Sequence, residues 1–479
     1  MGRYRLAIHW FRKDLRLTDN TALNAAVAGA AAVLPVYVLS TWHGEHRWTG
    51  SPRQEFLCGS LRSLAGNIEA AGGRLIVLQH RDASVALEKL LAETGADAIY
   101  FNRECDPYPK AMEKKVRAMA SGRGVAVHDF KDAVLHEAGE VLTGTGQPYR
   151  VFTPYGKNWN AQPKPACGGR VTKWPWPETI RIESLPLPTL DAWGLPTCAA
   201  TIVEPGERAA RQRMRKFVDD LLLRYGDDRN IPAGQTTSRL SQDLRFGLIG
   251  IRELHHRVTE VMAGAERPAG QKSAQTYLNE LAWREFYMAI LSHWPEVFEH
   301  EFDPQWRGLP WSCDEKAFER WKNAETGFPI VDAGMRELQQ TGFMHNRVRM
   351  IVAMFLTKDL HLDWRLGESY FMQTLVDGEN ASNNGGWQWS AGTGADAAPY
   401  FRIQNPWSQT KRYDPNGTYI KTWLPELKDV PIHRLTDAPA PLDPPLARGY
   451  PRPMVDHAEE RDRCLAIFAA HREKTGQRG

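Results

Sequence analysis

The sequence predicts an α/β domain with a doubly wound parallel sheet, then a long connector, then a large all-α domain. Short apolar segments alternate with amphipathic segments over the first 130 residues. A proline-rich stretch with little periodicity follows, and helical periodicity dominates from Glu207 onward. Strands that alternate with helices indicate βαβ units and hence a parallel sheet, and right-handed crossovers would make it doubly wound.

The α/β domain is predicted over residues 1–131. Its short apolar segments predict strands at Leu6–Phe11, Val33–Leu39, Leu75–Gln79, Ala98–Asn102 and Val125–Phe130. Amphipathic spacing predicts helices between them at Arg53–Ala71, Ala83–Thr94 and Tyr108–Ala120. No Gly-x-Gly-x-x-Gly fingerprint follows the first strand, so a conventional nicotinamide site is disfavoured.

The connector is predicted over residues 132–204, where prolines recur, and it is expected to lie on the surface. The helical domain is predicted over residues 205–479. Its amphipathic segments predict helices at Arg211–Leu223, Tyr277–Leu291, Arg347–Leu356 and Ala458 to about Arg472.

The composition is that of a globular chain. It has 479 residues, 42% of them hydrophobic, and a net charge of +3, which permits a local nucleic-acid patch without arguing for one. No apolar run approaches the roughly 18 residues of a membrane span, and the N-terminal apolar segment is too short for a signal peptide. A cytoplasmic protein with no membrane association is therefore expected. The six cysteines form no Cys-x-x-Cys pair, which argues against a disulfide framework and a metal site.

Tryptophan is unusually frequent, with 17 copies. Such an excess fits stacking surfaces, a chromophore pocket or a large helical core, and composition does not choose between them.

A first motif, Thr236–Ser241, brings hydroxyls and Arg239 to a predicted helix start, where free backbone N–H groups can bind an anion. An ordinary N-cap is the competing interpretation.

A second motif lies in Leu278–Tyr287. Asn279, Trp283 and Phe286 share one helix face, with Glu280 beside it. A carboxylate beside an indole can hold a base edge while the indole stacks on it. The alternative is a core tryptophan next to a surface ion pair.

Two further motifs follow. In Met344–Met350, Asn346 and Met350 face the same way, while His345 is expected to be a core hydrogen-bonding residue rather than a ligand. In Asp377–Trp389, the two consecutive glycines allow a flat ligand to approach the backbone closely. The spacing of the two tryptophans in that segment is not typical of an amphipathic helix.

Together, in this order, the motifs resemble the DNA photolyase and cryptochrome family. The resemblance covers nearly the whole chain and includes Trp10–Asn20, Gly146–Tyr155, Thr326–Arg336, Tyr400–Pro406 and Trp423–Leu427. It implies a flavin-dependent, light-driven DNA repair enzyme whose all-α domain binds FAD in a folded conformation.

Two pockets separate the branches of this family. Asn383 stands where photolyases carry Asn opposite the flavin N5 atom, while plant cryptochromes carry Asp and animal ones Cys. The run His345–Met350 lacks the further histidines of 6-4 photolyases. The resemblance thus implies a cyclobutane pyrimidine dimer photolyase of class I, with class III left open. A signalling cryptochrome is the rival, and a DNA-binding flavoprotein without catalysis is a second one.

The family pattern also assigns site residues. Those implied to bind FAD are Tyr225, Thr237, Ser238, Arg239, Leu240, Ser241, Tyr277, Asn346, Arg349, Asp377, Gly378, Glu379 and Asn383. Three positions depart from the usual class I residues, namely Tyr277 for Trp, Glu379 for Asp and Gln404 for an apolar residue. These departures put individual flavin contacts in question rather than flavin binding.

UV-damaged DNA is the implied partner of a protein expected to be a monomer. The implied DNA- and lesion-binding residues are Arg229, Glu280, Trp283, Arg284, Tyr287, Asn346, Arg347, Met350, Trp389, Arg402, Gln409 and Lys411. The implied catalytic residues are Glu280, which would stabilise the lesion after electron arrival, Asn383, which would set the flavin redox state, and an electron relay of Trp387, Trp364 and Trp311.

The α/β domain of this family often holds an antenna pigment. A folate, 5,10-methenyltetrahydrofolate, is favoured over 8-hydroxy-5-deazaflavin, a second flavin or no pigment. Glu104 and Asp106, after the fourth predicted strand, are candidates to face it.

Overall fold

The computed structural model describes residues 3–40, 42–44, 46–177, 181–440 and 442–476. The chain divides into two compact units. The first comprises Met1–Cys198, Val203–Gly226 and Ser238–His293, and the second comprises Ala199–Ile202, Asp227–Thr237 and Trp294–Gly479. The predicted domain limits at residues 1 and 479, and residues 178–180 of the predicted connector, lie outside the described residues.

The described part of the first unit contains a parallel sheet of five strands. The strands are β1 (Tyr4–Phe11), β2 (Ala30–Leu39), β3 (Ile76–Gln79), β4 (Ala98–Asn102) and β5 (Ala126–Phe130). All five predicted strands are confirmed. β1, β2 and β4 are mostly buried, as expected for the inner strands of a parallel sheet, whereas β5 at the edge of the sheet is only partly buried. The spatial order is β3-β2-β1-β4-β5, so the direction of winding reverses between β1 and β4.

Helices make up most of the remaining chain. They are α1 (Thr21–Gly29), α2 (Ser51–Ala70), α3 (Ala83–Thr94), α4 (Pro107–Gly122), α5 (Phe152–Ala161), α6 (Glu207–Lys216), α7 (Tyr225–Asp228), α8 (Ser241–Arg245), α9 (Ile251–Ala263), α10 (Pro268–His293), α11 (Glu315–Lys322), α12 (Pro329–Thr341), α13 (Asn346–Met354), α14 (Trp364–Thr374), α15 (Asn380–Ala391), α16 (Pro406–Tyr413), α17 (Thr418–Trp423), α18 (Ile432–Thr436) and α19 (His457–Lys474). Nowhere in the described ranges does a helix have the length and apolar character needed to cross a membrane.

The predicted helices are confirmed with local changes. Helix α6 ends at Lys216 and continues as a π-helical turn, Phe217–Leu221, and α13 continues in the same way through Phe355–Asp359. Helix α1 was not predicted. It is short and rich in alanine, and its N-cap is Asn20, whose side chain accepts from the Leu23 N–H group.

The prediction of a surface connector is wrong for its aromatic residues. Helix α5 lies within it, and Trp159, Trp174 and Trp193 are buried. The indole of Trp174 donates to the carbonyl of Val33, and that of Trp193 to the carbonyl of Ser40, at 2.8 and 2.9 Å. Prolines interrupt regular structure in this segment, but they do not prevent large rings from packing against the sheet and its loops.

The second unit has a helical core that contains several aromatic side chains. Its largest buried members include Trp321, Trp364, Trp387 and Phe355. Trp387 and Trp389 both lie in α15, and their spacing is not that of an amphipathic helix. Residues two apart point to nearly opposite sides of a helix, and here Trp387 is buried while Trp389 is partly exposed.

Candidate functional site

The hydroxyl-rich segment Thr236–Ser241 is a loop, and the helix after it begins at Ser241 rather than Thr236. Arg239 takes a left-handed conformation with φ of 51°. Its carbonyl accepts a hydrogen bond from the side chain of Gln242 at 2.5 Å. The prediction of a helix start at Thr236 is therefore wrong, because a left-handed residue interrupts the helical path. Ser241 is the exposed first residue of α8, where backbone N–H groups have no helical partner.

Three aromatic rings of the first unit pack together, and one of them contacts Ser238. Tyr277 lies 4.5 Å from Phe217 and 5.2 Å from Tyr225, measured between ring centroids. A hydrogen bond joins Tyr277 to Ser238, while burial raises the pKa of the Tyr277 phenol well above its usual value. A neutral phenol keeps its proton, so Tyr277 offers both a flat ring and a hydrogen-bond donor.

Helix α10 carries the predicted lesion-binding residues of the first unit. Glu280, Trp283, Arg284 and Tyr287 are all partly exposed. Trp283 stacks on Phe152, with ring centroids 3.7 Å apart and an angle of 9° between the planes. Arg284 donates to the carbonyl of Ala133 at 2.8 Å, so part of this guanidinium is committed to the protein.

Helix α13 begins at Asn346, which is exposed. His345 caps the helix by accepting from the Arg347 N–H group, so the prediction of a buried hydrogen-bonding residue is confirmed. Arg349 donates to the carbonyl of Met344 at 2.7 Å and pairs with Asp377 at 2.8 Å. This ion pair fixes the start of the segment Asp377–Glu379 against α13.

Arg347 is held on several sides. Its guanidinium donates to Asn230 Oδ1 at 2.7 Å and lies 4.5 Å from the ring of Tyr413. It also approaches the sulfur of Met350 at 3.5 Å. The two predicted lesion-binding residues Arg347 and Met350 are thereby brought together on one side of α13.

Asn383 lies on α15 and donates from Nδ2 to the carbonyl of Glu368 at 3.0 Å. The fully buried carboxylate of Glu368 accepts from Asn384 Nδ2 at 2.8 Å. Gln388, one turn later, donates to the carbonyl of Val297 at 3.0 Å. Sequence reasoning missed Glu368, and nothing in its local pattern distinguishes it from a surface carboxylate.

The three tryptophans of the predicted electron relay differ in how deeply they are buried. Trp364 and Trp387 are buried in the core of the second unit, and Trp311 is partly buried against the same core. Trp387 packs so closely on Gly367 that a Cβ atom there would lie 2.1 Å from the indole. It also contacts Phe371 and Trp321, with ring centroids 5.0 and 6.1 Å apart. Sequence reasoning did not single out Trp321.

The remaining predicted DNA contacts are less constrained. Arg402 is exposed, and Arg229, Gln409 and Trp389 are partly exposed. Lys411 pairs with Asp437 at 2.7 Å on the surface, where such a pair contributes little to stability and can be exchanged for a phosphate.

The two predicted antenna residues form part of an ion-pair network at the carboxyl ends of β1 and β4. Arg12 pairs with Glu104 at 3.0 Å, and Lys13 pairs with both Glu104 and Asp106 at 2.9 and 3.0 Å. Burial alone would raise the pKa of Glu104, but Arg12 and Lys13 outweigh it and lower the pKa to about 2. These carboxylates thus have a structural role, and an antenna contact through them stays a prediction.

In the described ranges, no three His, Cys, Asp or Glu side chains are grouped as metal ligands.

Comparison with known proteins extends over the whole chain. Residues 7–176 match a family described as DNA photolyase, and residues 277–470 match the FAD binding domain of DNA photolyase. The chain is 40% identical to a deoxyribodipyrimidine photo-lyase of Synechococcus sp., covering 96% of each protein. It is also 40% identical to the Agrobacterium fabrum protein of that name, covering 98% of each.

Two solved structures extend the likeness to three dimensions. A bacterial class III photolyase from Agrobacterium tumefaciens has a TM-score of 0.91 at 37% identity, over 99% of both chains. An archaeal photolyase from Sulfolobus tokodaii with two FAD molecules has a TM-score of 0.83 at 30% identity, over 97% of this chain and 100% of that one. The chain therefore belongs to the DNA photolyase family.

Proposed function

We propose that this protein is a deoxyribodipyrimidine photo-lyase. It repairs cyclobutane pyrimidine dimers in DNA and uses light that its bound FAD absorbs. The observation that carries the proposal is the near full-length identity to curated proteins of that name. The residues implied to distinguish repair from signalling, Asn383 and Glu280, lie on α15 and α10 with partly exposed side chains.

FAD fits the donors that the chain offers. We assign its phosphates to Thr237, Ser238, Leu240 and Ser241, with Arg239 as a nearby cation and Tyr225 and Tyr277 as neighbouring rings. The other contacts are assigned to the carboxylates Asp377 and Glu379 with Gly378 between them, the amides Asn346 and Asn383, and Arg349. The cofactor supplies the excited electron, and the protein supplies its position and electrostatics.

The lesion-binding residues are proposed from the family pattern. The damaged dinucleotide must leave the duplex, which costs least where pairing is already disturbed. Trp283 and Trp389 would stack on the lesion, Met350 would pack against it, and Glu280 would hydrogen-bond a pyrimidine edge and stabilise the charge that arrives there. The phosphate contacts would come from Arg229, Arg284, Arg347, Arg402, Gln409 and Lys411, with Tyr287 beside them.

Asn383 is proposed to orient its amide toward the flavin. Nδ2 donates one of its two N–H groups to the Glu368 carbonyl, so the second N–H group and the side-chain oxygen are the parts of the amide that could face the ring edge. An amide does not readily supply a proton, so Asn383 favours a fully reduced flavin.

Trp387, Trp364 and Trp311 would return electrons to the flavin when it becomes oxidised.

The rival function is that of a blue-light photoreceptor. It is less well supported, because Asn383 follows the photolyase pattern and the curated relatives are photo-lyases. The two functions differ in a direct assay with a thymine-dimer oligonucleotide and reduced holoprotein. Repair predicts dimer loss in blue light and none in darkness, whereas a photoreceptor leaves the dimers intact in both.

Glu280 provides a residue-level test within the same assay. The Glu280→Ala variant should bind FAD normally and repair with a lower yield, since only the group that stabilises the reduced lesion is missing. Unchanged repair would remove Glu280 from the mechanism.

We further propose a cytoplasmic monomer with a folate antenna. Sedimentation would test the monomer, subcellular fractionation the location, and the absorption spectrum of extracted pigment the folate.

A further inference from the structure

We propose that Phe152 positions Trp283 as a rigid, one-sided stacking platform for the damaged base, an inference that rests on the proposed function. The two rings are parallel within 9° and their centroids are 3.7 Å apart. Phe152 therefore covers one face of the indole and leaves the opposite face as the one on which a flipped base can stack.

Two more rings limit the movement of this indole. Phe286 meets Trp283 edge-on, with centroids 5.6 Å apart and planes at 84°, and Tyr287 lies 5.5 Å away. Both neighbours belong to α10 itself. Phe152 is the member of the group that comes from another helix, and it is the one that lies parallel to the indole plane.

The ring of Phe152 is itself constrained. It belongs to the first residue of α5 and folds back against Gly156, where a Cβ atom would lie 3.1 Å from its Cζ atom. It also meets Phe286 edge-on at 5.9 Å. Gly156 thus provides the space that lets Phe152 lie flat between its own helix and Trp283.

Helix α5 is fixed to α10 by a buried hydrogen bond next to the platform. Trp159 donates from Nε1 to Oε2 of Glu285 at 2.6 Å, and both residues are fully buried. Glu285 also accepts from the backbone N–H of His136 at 3.0 Å. Tyr155 adds a ring contact to Phe286 at 5.2 Å. Buried, charge-assisted bonds of this kind hold their partners in a single arrangement.

This arrangement matters for binding because an indole that is already fixed loses less freedom when a base stacks on it. Immobilising one mobile side chain on binding costs roughly 0.5–1.5 kcal/mol. Loss of the support should therefore weaken binding of dimer-containing DNA about three- to tenfold. Binding of undamaged DNA depends on phosphate contacts and should stay the same.

A double-mutant cycle tests the inference with the FAD-loaded protein in darkness. Dissociation constants are measured for a thymine-dimer oligonucleotide and its undamaged counterpart, using wild type, Phe152→Leu, Trp283→Ala and the double variant. We expect Phe152→Leu to weaken dimer binding in the wild-type background and to have no further effect when Trp283 is already Ala. Phe152→Tyr, which keeps the ring, should restore wild-type affinity.

Several outcomes would overturn the inference. An equal loss in both backgrounds would show that Phe152 does not act through Trp283, and tighter dimer binding by Phe152→Leu would show that its ring obstructs the lesion. If Phe152→Leu fails to fold, Gly156→Ala takes its place, because it crowds the ring without deleting it and should also weaken dimer binding. Unaltered binding in that variant would contradict the inference.

The proposed function fails separately. If the wild-type protein repairs dimers and prefers dimer-containing DNA but the mutant cycle shows no coupling, only the role proposed for Phe152 is contradicted. Wild-type protein that binds both oligonucleotides equally and repairs nothing contradicts the proposed function, and this inference with it.

Discussion

Helix α10 of the first unit and helix α15 of the second hold their predicted functional side chains in different ways. On α10, Trp283 is held by ring contacts from Phe152, Phe286 and Tyr287. On α15, Asn383 is held by a hydrogen bond to the Glu368 backbone, and the neighbouring Asn384 by the buried Glu368 carboxylate. The proposed lesion-binding residue Trp283 is thus held by packing, and Asn383, which is proposed to face the flavin, is held by directed polar bonds.

The difference indicates which changes each helix can tolerate. Ring contacts have broad energy minima, so a substituted ring of similar size keeps most of the interaction. A buried hydrogen bond that loses one partner leaves the other unsatisfied, which costs about 1–3 kcal/mol. Changes around α15 should therefore affect stability and the flavin together, while changes around Trp283 should affect mainly lesion affinity.

The largest effect is expected at Gly367, which packs on Trp387 of α15. A methyl group there would lie 2.1 Å from the indole, so Gly367→Ala should lower the free energy of unfolding by about 3 kcal/mol. It should also slow photoreduction of oxidised FAD, because Trp387 must move. Denaturant unfolding and flavin absorption under blue light measure the two effects.

Trp387→Phe is the matched control for Gly367→Ala. It removes the indole without crowding Gly367, so it should slow photoreduction with a smaller loss of stability. Photoreduction at the wild-type rate in Trp387→Phe would show that Trp387 is not part of the electron relay.

The next largest effect is expected at Glu368. Glu368→Leu removes the acceptor of Asn384 and should lower the free energy of unfolding by about 2 kcal/mol. It should also speed the release of FAD, because Asn383 and Asn384 lie side by side on α15. Glu368→Gln keeps an acceptor oxygen and should retain most of the stability. FAD fluorescence during thermal unfolding records both quantities, and equal behaviour of the two variants would refute the role given to the carboxylate.

These two helices also show the limits of prediction from sequence. The strands and the long amphipathic helices follow from local periodicity, so β4 and α3 were predicted to the residue. The pairs Phe152–Trp283 and Trp159–Glu285 join residues far apart in sequence, and no local pattern distinguishes them. The spacing of Trp387 and Trp389 did not indicate helix α15, because the two residues point to nearly opposite sides of it, and one is buried while the other is partly exposed.

The ion-pair network around Glu104 differs from both helices because its contribution to stability depends on pH. Because Arg12 and Lys13 lower the pKa of Glu104 in the fold to about 2, the carboxylate stabilises the protein above the unfolded pKa of about 4.3. That contribution is lost as the pH falls toward 2. Between pH 6.5 and pH 4, wild type should lose roughly 1 kcal/mol more than Glu104→Gln. Urea unfolding at both pH values checks this, and parallel losses would contradict it.

The smallest effect is expected for Trp283→Phe. The smaller ring can still stack on Phe152, so stability should change by less than about 0.5 kcal/mol. Affinity for a dimer-containing oligonucleotide should fall only a few-fold, since part of the stacking area is lost. Fluorescence anisotropy measures the affinity. A loss of stability as large as that of Glu368→Leu would remove the contrast between the two helices.

The central claim is that light absorbed by FAD drives dimer repair, and the action spectrum of repair tests it most directly. Reduced holoprotein is mixed with a thymine-dimer oligonucleotide, and the yield per incident photon is measured across the near-ultraviolet and blue range, with a dark control. We expect the yield to follow the absorption of reduced FAD and any bound antenna, with no repair in darkness. Repair that is independent of light, or no repair at any wavelength with reduced FAD bound, would contradict it.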